Sequence, residues 1–341
     1  MNSSFNGFEY IKKRLPNTIS FYRENLTKDE KHEYDRIVEA IINYNNCIKI
    51  NNISVSQIEH IFDCIKLDNP LLFYVESLNL KYLENKKQIF VYPVYRFDKE
   101  KTNNTLVALL SKCKKMLISI NTNNKFDVEK TIHDEFCKSI VYDHSFAESS
   151  YECVGPLLFK KGVCEGISKA VKVLCDILGI FCIVVHGKAT QNIGGQTGQA
   201  HTWNKIQINK YFYNLDVTFD LTISSNGIIR YDYFNLSDDD IVKDHYFDNK
   251  RYPICNNKDC YYLVSGQTFS TLKDIKEYYI LSISNSKKSI VLRISNRSHF
   301  QVKEREIIRC FNEALIALNK RNQPYQYSFN KYQNVMQIDM I

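Results

Sequence analysis

Hydrophobic positions along this chain recur at two spacings, and the alternation between them lays out its elements. In "LTKDEKHEYDRIVEAII" the residues Tyr34, Ile37, Val38 and Ile41 recur at helical spacing, and Thr27 with Glu30 forms a capping box at the start. A second helix, from about Ser54 to Lys66, carries Ile58, Ile61, Phe62 and Ile65 on one face. After "DNP" the pattern changes to two strand-like runs, "LLFYVESLNLKYL" and "KQIFVYPVYRF", joined by the polar "ENKK". This first part is expected to be a helix pair plus a β-hairpin. It carries no chemistry of its own, only packing and a surface for a lid or for recognition.

The middle part begins near Lys114, with helical segments running to about Lys138, and continues through the loop "YDHSFAESSYECVGPLLFKKG". In the following "GVCEGISKAVKVLCDILGI", residues Ile167, Ala170, Val171, Leu174, Ile177 and Leu178 mark one buried helix face counted from Cys164. Gly179 is placed to end that helix. "IFCIVVHG" is expected to be a buried strand and "KATQNIGGQTGQ" a glycine-rich loop, a flap bordering a cleft. "AHTWNKIQI-NK-YFYNLDV" alternates like a β-hairpin turning at Asn209–Lys210, and "SDDDIVKD" is a helix start rich in acidic residues. The last part, from about Cys255, reads as a hairpin ("YYLVSGQTF"), a helix, a strand, a helix and two more strands. The expected fold class is α+β, in three regions: residues 1–113, a core over 114–250, and a small α/β unit over 251–341.

Composition narrows the function classes. With 341 residues, 44% hydrophobic and 24% charged, the chain is that of an ordinary globular protein with a sizeable core. No stretch approaches the ~20 apolar residues that span a bilayer, and "MNSSFNGFEYIKKRL" has no apolar signal core. A cytoplasmic protein with no membrane association is expected. The 11 cysteines are odd in number and irregular in spacing, which argues for free thiols in a reducing compartment. Cys255 and Cys260 lack a matching second pair, so no zinc site is expected, and no metal or other cofactor. The net charge of +7 is spread along the chain without a basic stripe, which argues against nucleic-acid binding.

One cysteine is placed for chemistry. Cys164 sits between Gly162 and Gly166 at a helix start, where unpaired N–H groups and the helix dipole favour a thiolate. The two glycines are expected to leave its surroundings open, and its own N–H can face a developing oxyanion. Cys175 and Cys182, inside the helix and the strand, are expected in the core. With a turn at Asn209–Lys210, Trp203 faces Asp216 and His201 faces Thr218, which makes His201 and Asp216 diagonal neighbours on one face. A carboxylate on an imidazole fixes its tautomer and stabilises the cation formed when it takes a thiol proton. Other conspicuous residues receive plainer expectations. His133 and His144 are assigned surface or loop positions, Asp220 caps the segment after it, and Trp203 either walls the site or fills the core.

"GVCEGISKAVKVLCDILGI", "AHTWNKIQI" and "YFYNLDVTFD" resemble the three motifs of the transglutaminase-like superfamily of papain-fold cysteine enzymes, over roughly residues 125–235. The flanking regions are similar, more loosely, to the extensions of bacterial members. The resemblance implies a cysteine-bearing helix packed on an antiparallel sheet that carries the histidine and aspartate. It implies Cys164 as nucleophile, His201 as general base and acid, and Asp216 as the residue that orients His201. The second oxyanion donor has no motif; Tyr142 and Tyr151 are the candidates, with Trp203 as a further wall of the substrate site. No counterpart of the calcium sites of animal transglutaminases is present. The implied activity is acyl transfer from a protein or peptide substrate, at a peptide or glutamine amide, to water or an amine. The alternative is a binding scaffold that keeps the fold.

Overall fold

The computed structural model describes residues 6–341 except 15–19, 52, 84–87, 119, 191–197, 225–226 and 296–302. In the first region the helix Lys28–Asn43 starts at the expected capping box, with Thr27 accepting from the Glu30 N–H and Glu30 bonding back to Thr27. Ser54 and Gln57 repeat the device at the helix Val55–Asp68. The two strand-like runs pair antiparallel as Val75–Leu83 and Gln88–Tyr95; the "ENKK" between them lies outside the described residues. A third strand, Ile48–Asn51, pairs with Gln88–Tyr95. Only four residues long, it shows too little alternation to stand out in the sequence. A further helix, Lys99–Leu117, leads into the middle region.

The core pairs one helix with one sheet. The helix Cys164–Leu178 lies on four antiparallel strands in the order Tyr211–Leu215, Gln199–Ile208, Cys182–Ala189 and His245–Tyr246. Gly179 ends the helix in the left-handed conformation (φ 70°), which a side chain would disfavour. The expected apolar face, Ile167, Ala170, Val171 and Leu174, is buried, but Leu178 is 37% exposed. The other side of the helix is buried too, beneath the turn Glu148–Tyr151 and the π-helical segment Gly155–Phe159. Two lysines on that helix are consequently enclosed and must be paired. Lys169 Nζ reaches Glu152 at 2.9 Å and Glu165 at 2.8 Å, and Lys172 Nζ reaches Asp176 at 3.0 Å.

The hairpin register is the expected one as far as the pair Asn204↔Leu215, with Ile208↔Tyr211 closing the turn and Asn209 at φ 55°. There the strand stops. Asp216 leaves the sheet to cap a helix, Val217–Ile223, by accepting the Phe219 N–H at 3.0 Å. Thr218 therefore lies in that helix and does not face His201. Most of the expected flap, residues 191–197, lies outside the described residues.

The last region differs from expectation at its start. "YYLVSGQTF" forms a short helix, Tyr261–Val264, and a two-residue strand, Thr268–Phe269, that runs parallel to Ser289–Ile294. Cys260 occupies the N-cap position without a side-chain capping bond, and Gly266 (φ 70°) breaks the chain direction just after the helix, which interrupts the aromatic alternation that looked β-like. The remaining elements follow the sequence reading. The helices Leu272–Ser284 and Glu304–Ala317 pack on a four-stranded sheet around a separate apolar cluster that includes Tyr279, Leu292, Phe311 and Ile338. No helix among the described residues is long and apolar enough to cross a membrane.

The glycines flanking Cys164 are contact points and leave no open space. A Cβ on Gly166 would lie 2.1 Å from the Ser150 carbonyl oxygen, and one on Gly162 would lie 2.5 Å from Pro156 Cγ. The same Ser150 carbonyl accepts the Val163 N–H at 3.0 Å, so one backbone group fixes the helix start. Gly166→Ala is expected to destabilise the protein by about 2–3 kcal/mol through backbone displacement. Urea unfolding would measure this; a midpoint equal to that of the unmodified protein would contradict the close approach.

Candidate active site

Cys164 opens its helix with Val163 as N-cap and is partly exposed, whereas Cys175 and Cys182 are buried as expected. His201 stands on the strand Gln199–Ile208 and Asp216 at the N-cap beyond the neighbouring strand. His201 Nε2 and Asp216 Oδ2 are 2.6 Å apart, with His201 only 5% exposed and Asp216 fully enclosed. The expected contact is therefore made, but from a helix cap and not across a ladder. With Nε2 engaged, the other imidazole nitrogen is left for the thiol of Cys164, whose hydrogen bond is part of the His201 environment.

The electrostatics follow from this enclosure. Burial opposes a charge on His201, but the Asp216 carboxylate, its hydrogen bond and the Cys164 thiol outweigh it, pushing the imidazole up to about 10. Burial likewise opposes a charge on Asp216, and there the two neighbouring histidines win, holding the carboxyl well below its usual range. A second histidine accounts for part of this. His245 Nε2 lies 3.0 Å from the same Asp216 Oδ2, while its Nδ1 lies 2.7 Å from Asp244 Oδ1. Tyr233 donates to Asp244 Oδ2 at 2.6 Å. His245 and Asp244 were missed in the sequence. Their one signal is the adjacent Asp-His pair after "SDDDIVK", which looks like the tail of an acidic helix start until the short strand His245–Tyr246 joins the sheet.

Trp203 is fully buried, stacks on His201 with centroids 6.1 Å apart, and meets His245 edge-on at 5.0 Å. It backs both imidazoles from the core side and has no exposed face to offer a substrate. Tyr142 is half-buried on a two-residue strand whose partner, Gly162, lies just before Cys164. Burial, then the nearby Cys164 and Tyr151, push its phenol up to about 12, so it stays a hydrogen-bond donor at neutral pH. Tyr151 is 40% exposed and stands beside Tyr142.

Three other expectations change. His133 is fully buried, its Nε2 3.1 Å from Asp220 Oδ2, and is not a surface residue; His144 is exposed in a turn. Asp220 caps nothing. It sits inside the helix Val217–Ile223 and accepts the Tyr233 N–H at 3.0 Å, and burial pushes its carboxyl up to about 7. Cys255 and Cys260 remain separate free thiols, the first near Lys205 and Asp238, the second accepting from Arg293. Among the described residues one trio, His201, Asp216 and His245, brings possible metal donors within 4.8 Å of one another. Both imidazole–carboxylate separations are of hydrogen-bond length, so the trio is a hydrogen-bonded array.

Residues 114–217 match the Transglutaminase-like superfamily. Over that segment the chain is transglutaminase-like. The matched segment contains Cys164, His201 and Asp216 and ends before His245. No curated protein matches the chain. Among solved structures, the chain resembles a transglutaminase at 14% identity over 54% of this chain and 53% of that one, with a TM-score of 0.31. It also resembles a candidate cysteine protease from Cytophaga hutchinsonii at 12% identity, over 42% of this chain and 62% of that one, with a TM-score of 0.28. The chain thus spans about half to three fifths of the length of these structures, and both TM-scores are too low to bear on function.

The His201–Asp216 pair fixes the sign of a pH effect. His201, raised in the fold, contributes stability that is complete below its unfolded value of ~6.5 and is lost as pH rises through about 10. Asp216, depressed, contributes above its unfolded value of ~3.9 and loses that contribution as pH falls through its folded value. Asp216→Asn is expected to cost about 2–4 kcal/mol near pH 6–7, with the deficit shrinking towards pH 10.5. Chemical denaturation across that range would measure it; a constant deficit would refute the ion pair.

Proposed function

We propose that this protein is a thiol-dependent acyl-transfer enzyme acting on peptide or glutamine side-chain amides. The observation that carries this reading is a single buried imidazole bonded on one nitrogen to a carboxylate at 2.6 Å and engaged by a helix-start thiol. His201 holds the proton given up by Cys164 while Sγ attacks the amide carbonyl carbon. The oxyanion that forms is met by N–H groups of the first helical turn, with the Tyr142 hydroxyl as the favoured side-chain donor. His201 then gives its proton to the departing nitrogen, leaving a thioester on Cys164. Water or an amine, deprotonated by His201, attacks the thioester and releases the thiol. Asp216 holds the ring and balances its charge throughout.

Water as the acceptor is the favoured branch. It is always present at high concentration, and nothing among the described residues around Cys164 marks a second, amine-binding tunnel. A protease or deamidase is therefore favoured over a transglutaminase. The buried imidazole–carboxylate pair, dehydrated at a structural cost, weighs against a binding scaffold that merely retains the fold.

Cys164→Ala is expected to abolish turnover, and Asp216→Asn to lower kcat by roughly 10²–10⁴-fold while leaving some activity. The assay offers glutamine-containing proteins with and without a primary amine and follows ammonia, amine incorporation and new peptide termini. Iodoacetamide at pH 6–7 is expected to label Cys164 ahead of the exposed Cys47 and of Cys175 and Cys255, whose thiols burial or a neighbouring thiol pushes up. Wild type and Cys164→Ala behaving alike in every readout, with the fold intact, would favour the scaffold.

A further inference from the structure

The array does not end at the three residues of the proposed mechanism. His245 is buried between two carboxylates, with Nε2 3.0 Å from Asp216 Oδ2 and Nδ1 2.7 Å from Asp244 Oδ1. Each carboxylate also accepts another donor on its other oxygen, the Phe219 N–H on Asp216 and the Tyr233 hydroxyl on Asp244. An ionised carboxylate has no proton to give, so both ring nitrogens of His245 must donate, and an imidazole that donates from both nitrogens is a cation. We infer that His245 is a positioning residue, a buried imidazolium clamped between Asp216 and Asp244 that divides the charge of Asp216 and thereby sets the basicity of His201. This rests on the catalytic reading of Cys164, His201 and Asp216 proposed above.

The geometry assigns the effect a sign. The His201 and His245 rings are 5.4 Å apart, and both bond to the same Asp216 oxygen. A fixed positive charge at that distance, shielded from water, opposes protonation of His201 and favours the thiolate of Cys164. It keeps His201 from holding its proton so firmly that it cannot pass it to a leaving group. The other faces of His245 are closed by Trp203 at 5.0 Å, Phe219 at 4.8 Å and Tyr233 at 5.6 Å. The titratable and charged groups facing it are accordingly Asp216 and Asp244, then His201, and Tyr233 through Asp244. Once the thiol proton is on His201, the row from the surface inward alternates in sign: sulfur, imidazolium, carboxylate, imidazolium, carboxylate.

Asp244→Asn is the informative change because it keeps the shape. The amide oxygen can still accept from Tyr233 while the amide N–H donates to His245 Nδ1, which makes His245 neutral. With the cation gone, protons are held more tightly on both His201 and Cys164. The pH profile of Cys164 alkylation and of turnover should therefore move upward on both limbs, by roughly one unit. A residue that only filled space would change amplitude or stability and leave the profile in place. Independently of catalysis, nitrogen-15 NMR of the imidazoles in Cys164→Ala should show His245 protonated on both nitrogens from pH 6 to 8, and on one in the Cys164→Ala, Asp244→Asn double variant. A neutral His245 in the first protein, or an unmoved profile in folded Asp244→Asn, overturns the inference even where wild type is active. Cys164 inert in wild type while His245 is doubly protonated would instead overturn the catalytic reading, and the positioning role with it.

Discussion

Everything at this site depends on keeping one carboxylate ionised where water cannot reach it. Asp216 is fully enclosed, and an isolated buried charge would cost far more than a marginally stable fold can supply. Its stability comes from three donors: the Phe219 N–H at the start of a helix and the Nε2 atoms of His201 and His245. Each donor ties Asp216 to a different element, so the strand carrying His201, the helix after Asp216 and the short strand carrying His245 are fixed relative to one another by electrostatics as well as packing. Trp203 and Phe219 close the remaining faces against the rings.

The same logic of enclosed charge recurs on the cysteine helix. Lys169 and Lys172 are buried and paired with Glu152, Glu165 and Asp176, and Lys205 on the His201 strand is paired with Asp238 at 2.8 Å. Such pairs add little net stability, because desolvation offsets the attraction, but a partner missing from any of them is costly. They specify how the helix is rotated on the sheet. Together with the Ser150 carbonyl against Gly166, they set where Cys164 points.

Elements whose identity rests on local pattern were legible in the sequence. The capping box at Thr27, the helix start near Ser54, the glycine stop at Gly179 and the hairpin turn at Asn209 all express preferences that act within a few residues. The helix-start position of Cys164 and the strand position of His201 were legible too, because helix start and hairpin register are local signals. What was not legible depends on long-range closure. The apolar pattern shows a single buried face on the cysteine helix, yet tertiary packing covers both sides and encloses lysines. His133 looks like a surface residue until Asp220, 87 positions later, arrives to meet it. Asp216 was expected in the ladder, but its capping bond to Phe219 competes with strand pairing and wins. His245 belongs to a two-residue strand, too short to leave a periodic trace.

The back of the array is completed from far along the chain. Asn330, on a strand of the last region, donates to Asp232 at 3.0 Å and to the Tyr233 hydroxyl at 3.3 Å. Arg230, paired with Asp232 at 2.7 Å, reaches Gln337 at 3.0 Å and Ser328 at 3.2 Å. These contacts join residues separated by 97 to 107 positions. A chain made from its N-terminus presents Cys164 long before Asn330 and Gln337 leave the ribosome. Until they do, the Arg230–Asp232 pair stands open to water and Tyr233 lacks one of its anchors. Order of synthesis thus sets an order of assembly, in which Asp232 and Tyr233 acquire these partners only after the last sheet has formed.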